Sequence, residues 1–404
     1  MPPNHNQTAI TISNGVSFNE SRCIGCNQCV IACNEQAIDV FIKNDKKLFP
    51  PKFKQQNFEN SGCIQCGMCV LACPVNAMQP TKQCINDESI FLVAPSSRVV
   101  LAEHVNIPGN LCDTYIISVL KQLNANKIYD VNIGADLTTI IDAKEYLHLK
   151  QEGLLPLFSS CCPAWVNYCE LFHSQLIPKV STAKSCVEML SSLIEEQNIV
   201  QVMPCIAKKD EIKRKCLDSK CKCVLTVNEL SQIITQNNIT VNLEVEQQYD
   251  QPFNTASGGA SIFGKSGGVA ETIVRQLAYW QNVSYKLINS VILYSFKKQQ
   301  LLKNIYLIGD QNFCALIASG GSAMQKAIQF IQSEQEEIDF VEMMACPGGC
   351  MGGGGTFKTS SLLLRKQMME DKDKQNIIKV ASQNLSIIEY VDKDILKTNF
   401  SCRK

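Results

Sequence analysis

Two cysteine-rich stretches, forty residues apart, constrain this chain more than any other feature. "CIGCNQCVIAC" runs from Cys23 to Cys33 and "CIQCGMCVLAC" from Cys63 to Cys73. Each reads CxxCxxCxxxC, and the offset is the same at all four cysteines. The chain holds 22 cysteines in 404 residues, with only four histidines, scattered at His5, His104, His148 and His173. In a small secreted protein such a content would mean disulfides. In a chain this long, tight CxxC clusters favour metal. With so few histidines, metal chemistry must rest on thiolate sulfur, which selects zinc or iron–sulfur clusters. Zinc sites use two CxxC pairs, or cysteine with histidine, and two identical quartets fit that poorly.

The spacing is that of two-cluster 4Fe–4S ferredoxins. Three cysteines at two-residue gaps wrap one cubane and turn backbone N–H groups toward its sulfides. The fourth begins a helix and reaches the other cluster. Cys23, Cys26, Cys29 and Cys73 are therefore expected to hold one 4Fe–4S cluster, and Cys63, Cys66, Cys69 and Cys33 the second. Pro74 follows the fourth cysteine of the second copy, whereas Asn34 stands in that place in the first.

Lys+Arg and Asp+Glu both total 38, so the formal charge is zero. That balance argues against nucleic acid as a partner, which would call for a basic excess. No apolar run approaches the ~18 residues of a membrane span. The opening "MPPNHNQTAITISNG" has no apolar signal core and no Arg before Arg22, which argues against a secretory or transit peptide.

Beyond about residue 85 the texture changes to short apolar runs alternating with amphipathic stretches, as in an α/β domain. "IFLVAP" (90–95), "LLPLF" (154–158), "IVQVM" (199–203) and "IDFVEMM" (338–344) read as buried parallel strands. Three of the four run into cysteine: "SSCCPAW" (159–165), "MPCIAKKDE" (203–211) and "EMMACPGGCMGGGG" (342–355). Pro163 after Cys162 suits the first turn of a helix. Ligands at the C-terminal ends of parallel strands converge on one crevice, where helix N-termini and glycine N–H groups would stabilise an anionic centre. The expected organisation is an α+β and α/β multidomain chain. A ferredoxin-like domain spans 1–84. A catalytic α/β domain with parallel sheets flanked by helices spans 85–404, and its last part, about 360–404, is a helical tail led by "SLLLRKQMMEDKDKQNIIKVASQ" (361–383).

These three motifs, in order after a two-cluster ferredoxin segment, resemble the iron-only (FeFe) hydrogenases over nearly the whole chain. The resemblance implies an H-cluster, in which a 4Fe–4S cubane is bridged by a cysteine to a di-iron unit carrying CO, cyanide and a dithiolate amine. Matched motif to motif, Cys162, Cys205, Cys346 and Cys350 would hold the cubane, with Cys350 as the bridge. Lys208 would hydrogen-bond a cyanide, as a charged donor suits an anionic ligand. Met203 and Met344 would pack on the di-iron unit as soft neighbours, and Glu211 would hold Lys208 in place. Cys161, the other half of the paired cysteines, would be a free thiol that relays protons. The family's proton path continues through acid, serine and acid, which match Asp142, Ser181 and Glu145 here. Their spacing of three also puts Asp142 and Glu145 on one helix face, as is common for solvated carboxylates. The implied reaction is reversible reduction of protons to hydrogen by a monomer, with ferredoxin or a similar carrier as electron partner. Maturation proteins would install the di-iron unit. The implied place is the cytoplasm, with a hydrogenosome as the alternative.

Other readings remain open on the same residues. A related cytosolic iron–sulfur assembly factor would lack the paired cysteines, the Met of "MPC" and the double ferredoxin repeat. A sensory homologue would tend to lose the relay thiol. A structural cubane without a di-iron unit is a third. "GASIFGKS" from Gly259 to Ser266 formally matches a phosphate loop, but the polar "QQYDQPFNTA" before it is no buried strand. Cys216, Cys221 and Cys223, in the basic "RKCLDSKCKCV", read as surface thiols of an insertion, and Cys84, Cys112, Cys169, Cys186, Cys314 and Cys402 as core or surface thiols. Cys186 stands where the family tends to have proline.

Overall fold

Each half of the forty-residue repeat folds as a cysteine loop closed by a short helix, Gln28–Ile31 (α1) and Met68–Ala72 (α2). Both helices start from a left-handed residue, Asn27 (φ 57°) and Gly67 (φ 75°), which reverses the chain so that the preceding cysteines face back toward the helix. The computed structural model describes residues 10–11, 13–39, 42–43, 47–48, 52–53, 62–82, 88–333, 336–358 and 361–400. Cys84, Cys402, His5 and the expected 84/85 domain boundary lie outside the described residues. Strands Ile10–Thr11 (β1), Val16–Phe18 (β2) and Met78–Pro80 (β7) form an antiparallel sheet. Between the repeats, Ile38–Asp39 (β3) pairs with Lys52–Phe53 (β6), and Ile42–Lys43 (β4) with Lys47–Leu48 (β5). The core of this unit gathers Val16, Phe18, Ile38 and Met78 with Cys29, Cys69 and Cys73, and it takes in Ile206 from the far side of the sequence.

The remainder is built on two sheets. One is fully parallel, in the order Cys221–Thr226 (β12), Ile199–Met203 (β11), Ile90–Val93 (β8), Lys127–Asp130 (β9). The other is mixed, in the order Leu157–Phe158 (β10), Phe340–Met344 (β16), Gln311–Ser319 (β15), Gln299–Ile308 (β14), Tyr285–Phe296 (β13). Strands β8, β11 and β16 are buried along their whole length, as continuous apolar runs between helical layers require. The helices are Pro95–His104 (α3), Cys112–Gln122 (α4), Asn132–Glu152 (α5), Pro163–Phe172 (α6), Cys186–Leu193 (α7), Lys208–Glu211 (α8), Val227–Gln236 (α9), Gly258–Ile262 (α10), Gly268–Gln281 (α11), Gly321–Gln332 (α12) and Leu362–Gln375 (α13).

All four expected strands are present, and all pair in parallel, but they are divided between the two sheets. The antiparallel β13–β14–β15 meander has no counterpart among the expected elements. The helical tail is shorter than its sequence suggests: α13 ends at Gln375, and the chain to Gln383 turns through a short 3-10 segment. Cys221 and Cys223 are not surface thiols. They alternate with exposed Lys222 on β12 and point into the core, so "CKCV" carries a strand's two-residue period rather than the texture of a loop.

Helix α5 crosses α7 at a glycine. A Cβ on Gly134 would lie 1.8 Å from the backbone oxygen of Cys186. Gly134→Ala is expected to destabilise the fold by about 1–3 kcal/mol through overpacking, read as a lower urea midpoint. An unchanged midpoint would show that the two helices separate freely.

Candidate active site

Three loops leave three strand ends and meet. Those after β10 and β16 are locked together: Ser159 N donates to the Val341 carbonyl at 3.0 Å, and Ser159 Oγ accepts from Met343 N at 3.0 Å. Cys162 is the extended N-cap of α6, with Pro163 in the first turn. The loop after β11 brings Cys205 and begins α8, which carries Lys208 and Glu211. The loop after β16 brings Cys346 and Cys350. They enclose a cavity of about 80 Å³ whose wall includes Cys162, Cys205, Cys346, Cys350, Met203 and Met344. Burial pushes the Cys205 thiol up to about 12, with Cys162 adding to it, and pushes Cys346 well above its usual range, with Cys205 and Cys162 adding. Burial likewise raises Cys350, with Cys162 and Cys205 next. Four converging sulfurs are a soft donor set. They become thiolates only when a bound cation compensates their charge, so the chemistry of the wall fits an iron–sulfur cluster.

Lys208 brings one positive charge to this wall. Its ammonium is buried and donates to Glu211 Oε2 at 2.6 Å, and Glu211 also accepts from Ser185 Oγ at 3.1 Å. Burial works against the Lys208 charge, but Glu211 outweighs it and holds the lysine protonated.

Cys161 lies on the same cavity. Burial raises its thiol well above the usual value, and the neighbouring titratable groups Cys186, Cys350, Cys162 and Asp142 add to it in that order. Asp142, on α5, is fully buried and accepts from Ser181 Oγ at 2.6 Å. Its other oxygen, Oδ2, has no hydrogen-bond partner among the described residues. Burial drives this carboxyl well above its ordinary range, against the Ser181 hydrogen bond. One turn on, half-exposed Glu145 accepts from the backbone N–H of Thr182 at 3.1 Å and from its hydroxyl. Cys161 thus lines the cavity, Asp142 and Ser181 are buried and hydrogen-bonded to each other, and Glu145 is half-exposed beside Thr182. Three neighbours have no motif to mark them. Thr182 ties Glu145 to the Ser181 strand end, Cys186 lines the cavity, and Glu188 is a buried acid pushed up to about 7, chiefly by burial and then by Glu211. Nothing local in the sequence singles out Glu188, since its partner Gln201 (2.6 Å) comes from β11.

The repeat cysteines form two groups. Cys73 is a charged neighbour of Cys23 and Cys29, and Cys33 is a neighbour of Cys63, Cys66 and Cys69. The fourth cysteine of each copy therefore sits with the other copy's triplet. Burial raises Cys29 to about 11 and Cys63 to about 12. Backbone N–H groups point at sulfur: Ala37 to Cys33 (3.3 Å) and Ala77 to Cys73 (3.1 Å). Cys66 also neighbours Cys346, so the second group adjoins the cavity. A Cβ on Gly354 would lie 2.5 Å from the Cys66 carbonyl oxygen, so only a glycine lets the two loops touch. Gln65 and Asp210 bind them further: Ser13 Oγ and Gly15 N donate to Gln65 Oε1 (2.8 and 2.9 Å), and Asp210 accepts from Asn14 (2.7 Å) and Asn167 (3.2 Å).

The phosphate-loop look-alike is spoken for. The N–H groups of Gly267 and Ala270, at the start of α11, donate to Glu342 at 2.6 and 3.0 Å. Lys265 pairs with Glu271 and Glu370. An internal carboxylate stands where a phosphate would bind.

Residues 87–354 match the family described as the iron-only hydrogenase large subunit, C-terminal domain, and residues 22–77 a 4Fe-4S dicluster domain. Iron hydrogenase 1 of Clostridium pasteurianum is 30% identical over 380 residues, covering 85% of this chain; the chain spans 65% of that relative's length. A cytosolic Fe-S cluster assembly factor of Danio rerio is 24% identical over 310 residues, 70% of this chain and 75% of its own. A solved structure of an apo FeFe-hydrogenase from Chlamydomonas reinhardtii superposes with a TM-score of 0.65 at 25% identity, covering 80% of this chain and 95% of that one.

Two consequences are measurable on the protein without its clusters. Lys208→Met leaves the Glu211 charge buried and unpaired and should cost about 3–5 kcal/mol. Replacing both residues by methionine should recover most of it, and equal losses in the single and double variants would show that the pair is not coupled. The Asp142 carboxyl has its folded pKa raised by burial. Its share of stability is present at low pH and is lost as pH rises above ~4, where the unfolded carboxyl ionises freely. Asp142→Asn should flatten that decline in unfolding free energy against pH; the same slope in both proteins would mean that Asp142 is ionised in the fold.

Proposed function

The chain belongs to the iron-only hydrogenase family, with a 4Fe-4S dicluster segment ahead of the hydrogenase domain, and on that premise we propose that it catalyses the reversible reduction of protons to molecular hydrogen with electrons from a reduced ferredoxin. Cys162, Cys205, Cys346 and Cys350 would hold the H-cluster cubane, and Met203, Met344 and Lys208 would line the di-iron unit. When bound, that group supplies the redox centre at which two protons and two electrons combine. The rest is done by side chains. The first cysteine group, where Cys26 is exposed, takes in electrons. The second, beside Cys346, hands them to the cavity. Cys161 gives a proton and regains one from Asp142. Asp142 is resupplied through Ser181 from the Thr182–Glu145 end. Lys208, held charged by Glu211, offers a fixed donor to an anionic ligand.

The observation that carries this reading is Cys161, which lines the cavity walled by four cysteines and has the buried acid Asp142 among its neighbours; one oxygen of that acid has no hydrogen-bond partner among the described residues. A scaffold that only assembles or passes on clusters has no use for a proton path to that cavity, which weighs against the assembly-factor reading. The ferredoxin-like part is assigned to 1–84 and the catalytic part to 85–404. Maturation proteins would supply the di-iron unit. No helix among the described residues is long and apolar enough to cross a membrane, and we place the enzyme in the cytoplasm, with a hydrogenosome as the alternative.

The test is hydrogen evolution from reduced methyl viologen by the fully loaded protein, with infrared spectra of the same sample. CO and cyanide bands with activity are expected, and both should vanish in Cys346→Ser. Cys161→Ala should keep the bands but lose about 10²–10⁴-fold in rate, the usual worth of a positioned acid–base group. Bound iron with no such bands and no gas would favour the assembly-factor reading.

A further inference from the structure

A groove of about 380 Å³ lies between the ferredoxin-like unit and the stretch that follows the cavity cysteines, with α9 as its floor. Three exposed cations stand on its wall: Arg22, Lys82 and Lys358. They come from separate parts of the chain, so only the fold gathers them. Among the described residues the one acid on this wall is Glu229, and it is already engaged. It accepts from Lys209 Nζ at 3.1 Å and from the Thr226 N–H and hydroxyl at 2.9 and 2.6 Å. Glu20, on the same turn as Arg22, does not line the groove.

The groove borders the first cysteine group. Arg22 immediately precedes Cys23, and Lys358 Nζ donates to the backbone carbonyl of Cys73, whose neighbour Pro74 is on the wall. The loop and short helix that carry exposed Cys26 also expose Ile24 (65%) and Ile31 (63%). An apolar contact beside a charged rim is the anatomy of a protein interface, with the charges guiding the encounter. A small phosphate-bearing ligand fits this groove less well, because the N–H groups it would use are taken. Gly355 N donates to the Pro204 carbonyl at 2.9 Å and Thr356 N to the Gly353 carbonyl at 3.0 Å. Glu229 closes the start of α9 in a capping box, where an anion would otherwise sit.

We propose that this face is where the electron carrier docks, and that the carrier is a small acidic iron–sulfur protein. Its carboxylates would meet Arg22, Lys82 and Lys358, and its apolar surface would cover Ile24 and Ile31. The chain as a whole has no net charge, so attraction for an acidic protein has to come from a local cluster such as this one. Each encounter moves one electron from a reduced cluster of the carrier, which is oxidised, to the cluster of the first cysteine group, which is reduced. No bond is made or broken. The direction of electron flow rests on the hydrogenase reading above; the docking itself does not.

The probe is an acidic two-cluster 4Fe–4S ferredoxin, titrated in its oxidised form into the cluster-loaded full chain by calorimetry. Binding should weaken about tenfold or more in the Arg22→Glu/Lys82→Glu double variant. It should weaken likewise for the unmodified chain in about 1 M salt, where charges are screened beyond about 3 Å. Ile31→Ser should weaken it at low and high salt alike. In turnover, the ratio of ferredoxin-linked to methyl-viologen-linked hydrogen evolution should fall in the double variant through a higher KM for ferredoxin. Iron–sulfur absorbance checks that the clusters are retained. Affinity that is indifferent to both the double variant and salt overturns the proposal, and so does a loss of ferredoxin-linked and viologen-linked rates in the same proportion. Ferredoxin binding that depends on Arg22 and Lys82, in a chain that evolves no hydrogen from viologen, would keep the docking face and overturn the hydrogenase reading instead.

Discussion

A thiol removed from water resists ionisation, and the arrangement of this protein depends on overcoming that resistance at three places in a row. Burial is the first cause of every raised thiol in the cysteine groups. Several of these sulfurs are offset by backbone N–H groups or by Lys208. Metal binding and folding are coupled under these conditions. The groups also need one another's proximity, since Cys69 neighbours Cys29 and Cys346 neighbours Cys66. The packing that achieves this is backbone against backbone at Gly354, backed by Ile206 in the core of the ferredoxin-like unit.

Two buried acidic side chains near the cavity have opposite settings. Glu211 has a cation at 2.6 Å and serves to fix it. Among the described residues Asp142 has only a hydroxyl partner and one oxygen without a hydrogen bond, and burial drives its carboxyl well above the usual range. Environments of this kind push the protonation of neighbouring acids apart. Glu188, behind Glu211, extends the buried polar network away from the cavity toward β11 and β12.

The metal-binding character of the chain is legible in its amino-acid order, because cysteine spacing is a local property. The helical starts at Cys162 and Lys208 and the strands at Ile199–Met203 and Phe340–Met344 are readable for the same reason: apolar runs, a proline and a helix period lie within a few residues of one another. Cys221 and Cys223 mislead because the lysines around them outweigh a two-residue alternation only one repeat long. The polar stretch ahead of the P-loop look-alike already argues against a phosphate site. The stronger reason, Glu342 on the N–H groups of Gly267 and Ala270, comes from 72 or more residues away and has no local trace.

By itself the sequence determined the cysteine-rich, iron–sulfur character of the chain, the order of the motifs and the family they belong to, since these depend on residue type and near spacing. The tertiary structure alone decided that the motif strands lie in two sheets that bring their ends to one cavity. It also decided that Asp142 is buried, with its carboxyl driven upward, rather than a solvated helix carboxylate, that Cys186 faces the cavity and that, among the described residues, an apolar strand is left at the sheet edge. Each of these is a matter of burial, and burial is set by residues far apart in the chain.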